Sequence, residues 1–93
     1  MTIKKLTKMP YANAHIEIDN DGNTYLYSYV TLVAELTAEN WLTIFGLHSM
    51  TTRKHISAFC SEYCGLIDYC YAKKAYEGGY SINTETGEIV ELD

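Results

Sequence analysis

The stretch AHIEIDNDGNTYLYSY, residues Ala14–Tyr29, decides the fold. Its first six residues alternate, with Ile16 and Ile18 on one side and His15 and Glu17 on the other, which is the period of a half-buried strand. Asn20-Asp21-Gly22-Asn23 then supplies residues that tolerate positive φ, as a tight hairpin requires. Thr24–Tyr29 is the returning strand, with Leu26 facing one way and Tyr25, Tyr27 and Tyr29 the other. A short, strongly marked hairpin of this kind commits the N-terminal half of the chain to antiparallel pairing.

Reading outward, Thr31–Thr37 continues as a third strand after a weakly marked turn. Ala38-Glu39-Asn40 turns the chain again, and Trp41–Phe45 is a fourth strand closed by Gly46. In the other direction, Met1–Met9 reads as a frayed end or a short edge strand, punctuated by Pro10. Beyond Gly46 the period changes. Ile56, Phe59, Cys60, Tyr63 and Cys64 fall at i, i+3, i+4, i+7 and i+8, one face of a helix. Ser49 or Thr51 caps its start, and Gly65 stands where a C′ glycine belongs. A second helix is expected from Leu66 to about Tyr76, ended by Gly78-Gly79, followed by a hairpin of Tyr80–Asn83 and Glu88–Leu92. The expectation is an α+β fold in one domain spanning residues 1–93. An antiparallel meander of about four strands is followed by two helices packed on one face and a C-terminal β-hairpin.

Composition narrows the function classes. Of the 93 residues 47% are hydrophobic and 20% charged, which suits a folded domain rather than a disordered one. The net charge is −5 and unevenly spread. Lys4, Lys5 and Lys8 make the N-terminus basic, no Lys or Arg occurs from Met9 to Thr52, and none occurs from Glu77 onward. An acidic protein is repelled by nucleic acid at long range, so general DNA or RNA binding is disfavoured, while a basic protein surface is attracted. The plainer account of the same charges is solubility. No apolar run approaches the roughly 20 residues of a bilayer span, and Met1–Pro10 has no signal-peptide core. Cys60, Cys64 and Cys70 cannot all pair within one chain. A cytoplasmic protein with reduced thiols, present as a monomer or small homo-oligomer, is the expectation.

The chemistry-bearing residue types form no known catalytic spacing. Asp19-Asn20-Asp21-Gly22-Asn23 has the composition of a calcium loop, but its glycine comes two positions early and Val30 stands where the closing glutamate would be. The cysteines with His48 and His55 supply zinc-ligand types without a zinc-site spacing, and buried core thiols account for them. A Cys60–His55 nucleophilic pair fails on direction, since the two point to different sides of a helix. No enzyme, metal or cofactor is expected.

Two surfaces remain. Tyr25, Tyr27 and Tyr29, with Glu35 and Glu39 near them, form a candidate protein-binding face; the alternative is that other segments cover these rings. Thr51, Thr52, Arg53, Lys54 and His55 form a hydroxyl-rich, basic helix start, a candidate anion site whose alternative is ordinary capping with solvated cations. Tyr27-Ser-Tyr-Val-Thr-Leu-Val-Ala34, followed by Ser49-Met-Thr-Thr-Arg-Lys-His-Ile56, Phe59 and Glu62-Tyr63, resembles small uncharacterised proteins of bacteriophages and related mobile elements. The resemblance covers roughly Tyr25 to Gly65 and implies no catalytic residue. In size and acidity the chain is also similar in kind to phage-encoded inhibitors of host defence, including anti-CRISPR proteins. The expected function is therefore non-enzymatic binding of a host protein with a basic surface. The alternative is a small nucleic-acid-associated accessory protein using Arg53, Lys54 and His55.

Overall fold

A computed structural model describes residues 1–10, 12–47 and 49–92. Seven strands form one sheet in the order of the chain, each antiparallel to its neighbour. They are β1 (Thr2–Lys4), β2 (Ala14–Ile18), β3 (Thr24–Ser28), β4 (Thr31–Leu36), β5 (Trp41–Ile44), β6 (Tyr80–Asn83) and β7 (Ile89–Glu91). Two helices, α1 (Met50–Tyr63) and α2 (Tyr69–Gly78), lie between β5 and β6. Helix α1 packs on β3 and β4, and α2 on β5 and β6, so both cover the same face. The α+β class holds, but the sheet is larger than four strands and a separate hairpin. The N-terminal segment is an ordered edge strand, and β6–β7 joins the meander through β5, where Trp41 pairs with Asn83 and Leu42 with Ile82.

The local reasons are those the residues carry. At the β2–β3 turn Gly22 takes φ 87, where an added Cβ would touch the Ala38 Cβ at 3.4 Å. Between β3 and β4 the turn is Tyr29-Val30, and Tyr29 itself holds φ 58. A non-glycine residue with positive φ is uncommon, which is why this turn is poorly marked by composition. Helix α1 starts at Ser49, whose hydroxyl accepts from the Thr52 N–H at 3.1 Å, and Gly65 follows its last turn with φ 54. Helix α2 begins later than expected, at Tyr69, because Asp68 caps it by accepting from the Tyr71 N–H at 3.1 Å.

The core lies between the helices and the inner face of the sheet. Ile16, Leu26, Ala34, Leu36, Leu42, Ile44 and Ile82 come from the strands, and Ile56, Phe59, Cys60 and Cys64 from α1 and its cap. Leu6, in the segment after β1, is fully buried as well. That segment crosses α1, where the Thr7 N–H donates to Glu62 Oε1 at 2.7 Å and Lys8 reaches Ser61. Burying side chains of this size contributes about 1.5–3 kcal/mol each.

Candidate functional site

Because both helices take one face, the alternate residues of every strand stand on a face that neither helix covers. Strand pairing aligns them in a row across the sheet: Ile3, Glu17, Tyr25, Glu35, Thr43, Ser81 and Val90. A second, shorter row holds His15, Tyr27 and Leu32. Most of these side chains are half-buried by one another and open to solvent on top. Trp41, Thr43, Ser81 and Val90, with Thr37 beyond the strand end, line a shallow depression on this side.

The outer face is internally braced. The Tyr27 ring stacks on His15 with centroids 4.8 Å apart and planes 1° from parallel. His15 Nε2 lies 2.8 Å from Glu17 Oε2. The Tyr25 hydroxyl donates to Asp19 Oδ2 at 3.1 Å, and this bond raises the phenol pKa above its ordinary value. Asp19 also accepts from the backbone N–H groups of Asn23 and Asp21 and from the Asn23 amide, which hold its carboxyl below the usual range, the Asn23 backbone contributing most. Its two oxygens thus accept hydrogen bonds from its own turn and from Tyr25, which braces the hairpin. Among the described residues, no group of three or more His, Cys, Asp and Glu side chains is placed to hold a metal ion.

Of the five residues read as partner-binding, Tyr25, Tyr27 and Glu35 share the uncovered face. Tyr29 sits in the β3–β4 turn and Glu39 in the β4–β5 turn, both exposed at the margins. His15, Leu32, Trp41, Thr43 and Val90 belong to the same face and were missed. Extending the strand alternation one element further would have found Trp41 and Thr43 opposite Leu42 and Ile44.

The five residues read as an anion site divide. Thr51, Arg53 and Lys54 are exposed on the first turn of α1. Thr52 and His55 turn inward and are buried, which corrects their placement at a surface. They extend the apolar stripe backward from Ile56 by one helical turn, a spacing that was readable in the chain. The Thr52 hydroxyl lies 3.2 Å from that of Ser49 and 3.4 Å from that of Ser28. His55 Nδ1 is 2.8 Å from the Ser28 hydroxyl, and burial lowers the imidazole pKa, so the ring is neutral at pH 7. Serine beside a neutral histidine is the pairing used in nucleophilic catalysis. Here both side chains are at most 3% exposed, so a substrate carbonyl has no approach.

Cys60 and Cys64 are buried, as core thiols should be, whereas Cys70 on α2 faces solvent. Hydrogen bonding between Cys60 and Cys64, together with burial, pushes the Cys64 thiol well above its ordinary range, which removes thiolate reactivity.

This architecture, an antiparallel sheet with a helical pair on one face and an opposite face that neither helix covers, defines a small two-layer α+β domain. Residues 1–78 match a family of unknown function, DUF8033, and the chain belongs to that family. The match spans β1 to β5 and both helices, and leaves β6–β7 outside it. Comparison with curated proteins and with solved structures gives no match. Among the described residues no helix is long and apolar enough to cross a membrane.

Proposed function

We propose that the protein is a non-enzymatic binding module whose uncovered sheet face docks on a basic surface of a protein partner. The observation that carries this reading is the composition of that face. From β2 to β7 it presents Tyr25, Tyr27, Trp41, Glu17 and Glu35 and no lysine or arginine, with Lys5 standing beside His15 at its β1 margin. All seven cationic side chains lie in the N-terminal segment and the helices. Aromatic rings held in place by Asp19 and His15 lose little freedom on binding, and flanking carboxylates steer a basic partner. The resemblance of Tyr27–Ala34 and Ser49–Ile56 supports a phage or mobile-element setting; a host protein as partner and inhibition of host defence as the outcome rest on the chain's small size and acidity.

The test is capture from nuclease-treated bacterial lysate by tagged protein, identified by mass spectrometry. One stoichiometric protein is expected at low salt, weakened roughly tenfold or more between about 50 and 300 mM salt as screening shortens. The double substitution Tyr25→Ala/Tyr27→Ala and the single Glu35→Lys should each abolish its capture. A complex indifferent to both salt and these substitutions would sink the reading.

The exposed cations on the first turn of α1 support a second reading, nucleic-acid association through Thr51, Arg53 and Lys54. It predicts oligonucleotide binding at low salt with a negative salt slope, reduced by Arg53→Gln/Lys54→Gln. Capture that vanishes on nuclease treatment would favour it over the first.

A further inference from the structure

We infer that copies of this chain associate head to tail through their unlike sheet edges, β7 of one copy pairing in parallel with β1 of the next. Among the described residues the sheet is open at both ends, with β1 and β7 each paired on one side only. Both edges expose large apolar side chains: Ile3 is 67% exposed, Ile89 55% and Val90 52%. Unpaired edges of this kind are templates for another strand unless something blocks them.

The register is what selects the partner. The row Ile3, Glu17, Tyr25, Glu35, Thr43, Ser81, Val90 begins and ends on an exposed apolar residue of the same face. The adjacent row begins at Lys4 and runs through Ile16, Leu26, Ala34 and Ile44. Continuing the register of β5 and β6, it reaches Tyr80 and ends at Glu91. Since every neighbour is antiparallel, β1 and β7 run in the same direction. A second copy that extends the sheet with its helices on the same side therefore places Ile3 beside Val90 and Lys4 beside Glu91.

The backbone agrees with this pairing. Leu92 N donates to Gly79 O at 2.9 Å and Asn83 N to Glu88 O at 2.8 Å, so Glu88, Val90 and Leu92 turn inward and Ile89 and Glu91 turn their N–H and C=O groups outward. On the other edge, Asp19 N donates to Asn23 O, so the odd-numbered residues of β2 face β3. Ile16 and Ile18 consequently face β1, where they pair with Lys4 and Thr2 and leave the Ile3 groups pointing outward. In a parallel ladder one residue bonds to the two that flank its neighbour. Ile3 bonded to Ile89 and Glu91, with Val90 opposite, is that pattern complete. Pairing of like edges is opposed by charge, since β1 with β1 brings Lys4 and Lys5 together and β7 with β7 brings Glu88 and Glu91 together. A heterologous contact of this type builds a ring or an open filament, depending on the twist. The contact uses the edges alone and holds whether or not the outer face binds a partner.

Sedimentation or light scattering on three full-length proteins tests it: wild type, Lys4→Glu and Glu91→Lys. Both substituted residues are exposed, and matching circular dichroism spectra establish that the variants are folded. The wild-type weight-average mass should rise about twofold or more between about 10 µM and about 1 mM. Each variant alone should stay at the monomer mass, because the side chains at positions 4 and 91, side by side across the contact, then carry the same sign. An equal mixture of the two variants should recover the wild-type rise, because the substituted positions 91 and 4 of unlike copies then carry opposite signs. A wild-type protein that remains monomeric to about 1 mM overturns the proposal. So does association retained by Lys4→Glu, which would mean β7 pairs with β7, or by Glu91→Lys, which would mean β1 pairs with β1. A mixture that stays monomeric overturns it equally.

Discussion

His55 is packed beside the Tyr29 ring, 6.2 Å between centroids, with its Nδ1 on Ser28, and its charged form is disfavoured by burial. Its folded pKa is depressed below the ordinary value of 6.5, so the unfolded chain binds the proton more readily. The stability it contributes is fully present above about pH 6.5 and is lost as pH falls through that value toward the folded pKa. Urea midpoints of the wild type should therefore fall from pH 7.5 to pH 5.5, and His55→Gln should show a smaller fall. The rest of the sequence is common to both proteins and cancels in the comparison. Equal falls would show that His55 is not the group that titrates. At the neighbouring turn, Tyr29 holds φ 58 without being glycine. Tyr29→Val should cost about 1–2 kcal/mol, since a β-branched residue is least tolerant of this region, whereas Tyr29→Gly should be neutral or stabilising. Chemical denaturation of the pair reads the difference. The Tyr29-Val30 turn was not legible in the chain, since it lacks the Asn or Gly that marks such turns. The burial of His55 was readable from helical spacing, but its partner, Ser28, lies 27 residues away and was not.

Among the elements, α1 was the most legible, since periodicity, cap and C′ glycine agree over a single stretch. Ser49→Ala should remove the hydrogen bond to Thr52 and lower stability by about 1 kcal/mol in thermal or urea unfolding. Little or no change would mean that water or the Ser28 cluster takes over the cap. The hairpins β2–β3 and β4–β5 were equally readable, because alternation and turn residues are local signals. What resisted reading was pairing at a distance. Strand β6 meets β5 only after both helices have intervened, and β1 is three residues long with every side chain exposed. Such strands are fixed by neighbours rather than by their own pattern. The outer face was legible in outline, through Tyr25, Tyr27 and Glu35. Its extent was not, because Val90 and Ser81 join it only through β6–β7.

At the scale of the molecule, the family match ends at residue 78, while the sheet and the core do not. Ile82 is buried with Leu42 and the α2 alanines, and the β5 edge is covered by β6. A chain ending at Gly79 should lose at least the roughly 2–5 kcal/mol of a large core residue and expose the β5 edge to other strands. Its urea midpoint should drop sharply and its tendency to aggregate should rise. An unchanged midpoint would mean that β1–β5 with the helices is self-sufficient. The uneven charge follows from the same architecture: strands β2 to β7 and their turns carry acids and no cation, while the cations fall in the N-terminal segment and the helices.

Trp41 is the only tryptophan in the chain, and it stands half-buried on the uncovered face at the junction of β5 with β6. The protein therefore carries an intrinsic fluorophore at the place where the Thr43, Ser81 and Val90 side chains meet. Selective excitation gives an emission whose wavelength follows the wetness of that spot, free of any attached dye. A blue shift on mixing would signal a ligand laid over the sheet. A red shift ahead of the loss of helical ellipticity would show the C-terminal hairpin peeling from the rest, so one optical signal distinguishes occupancy from unzipping.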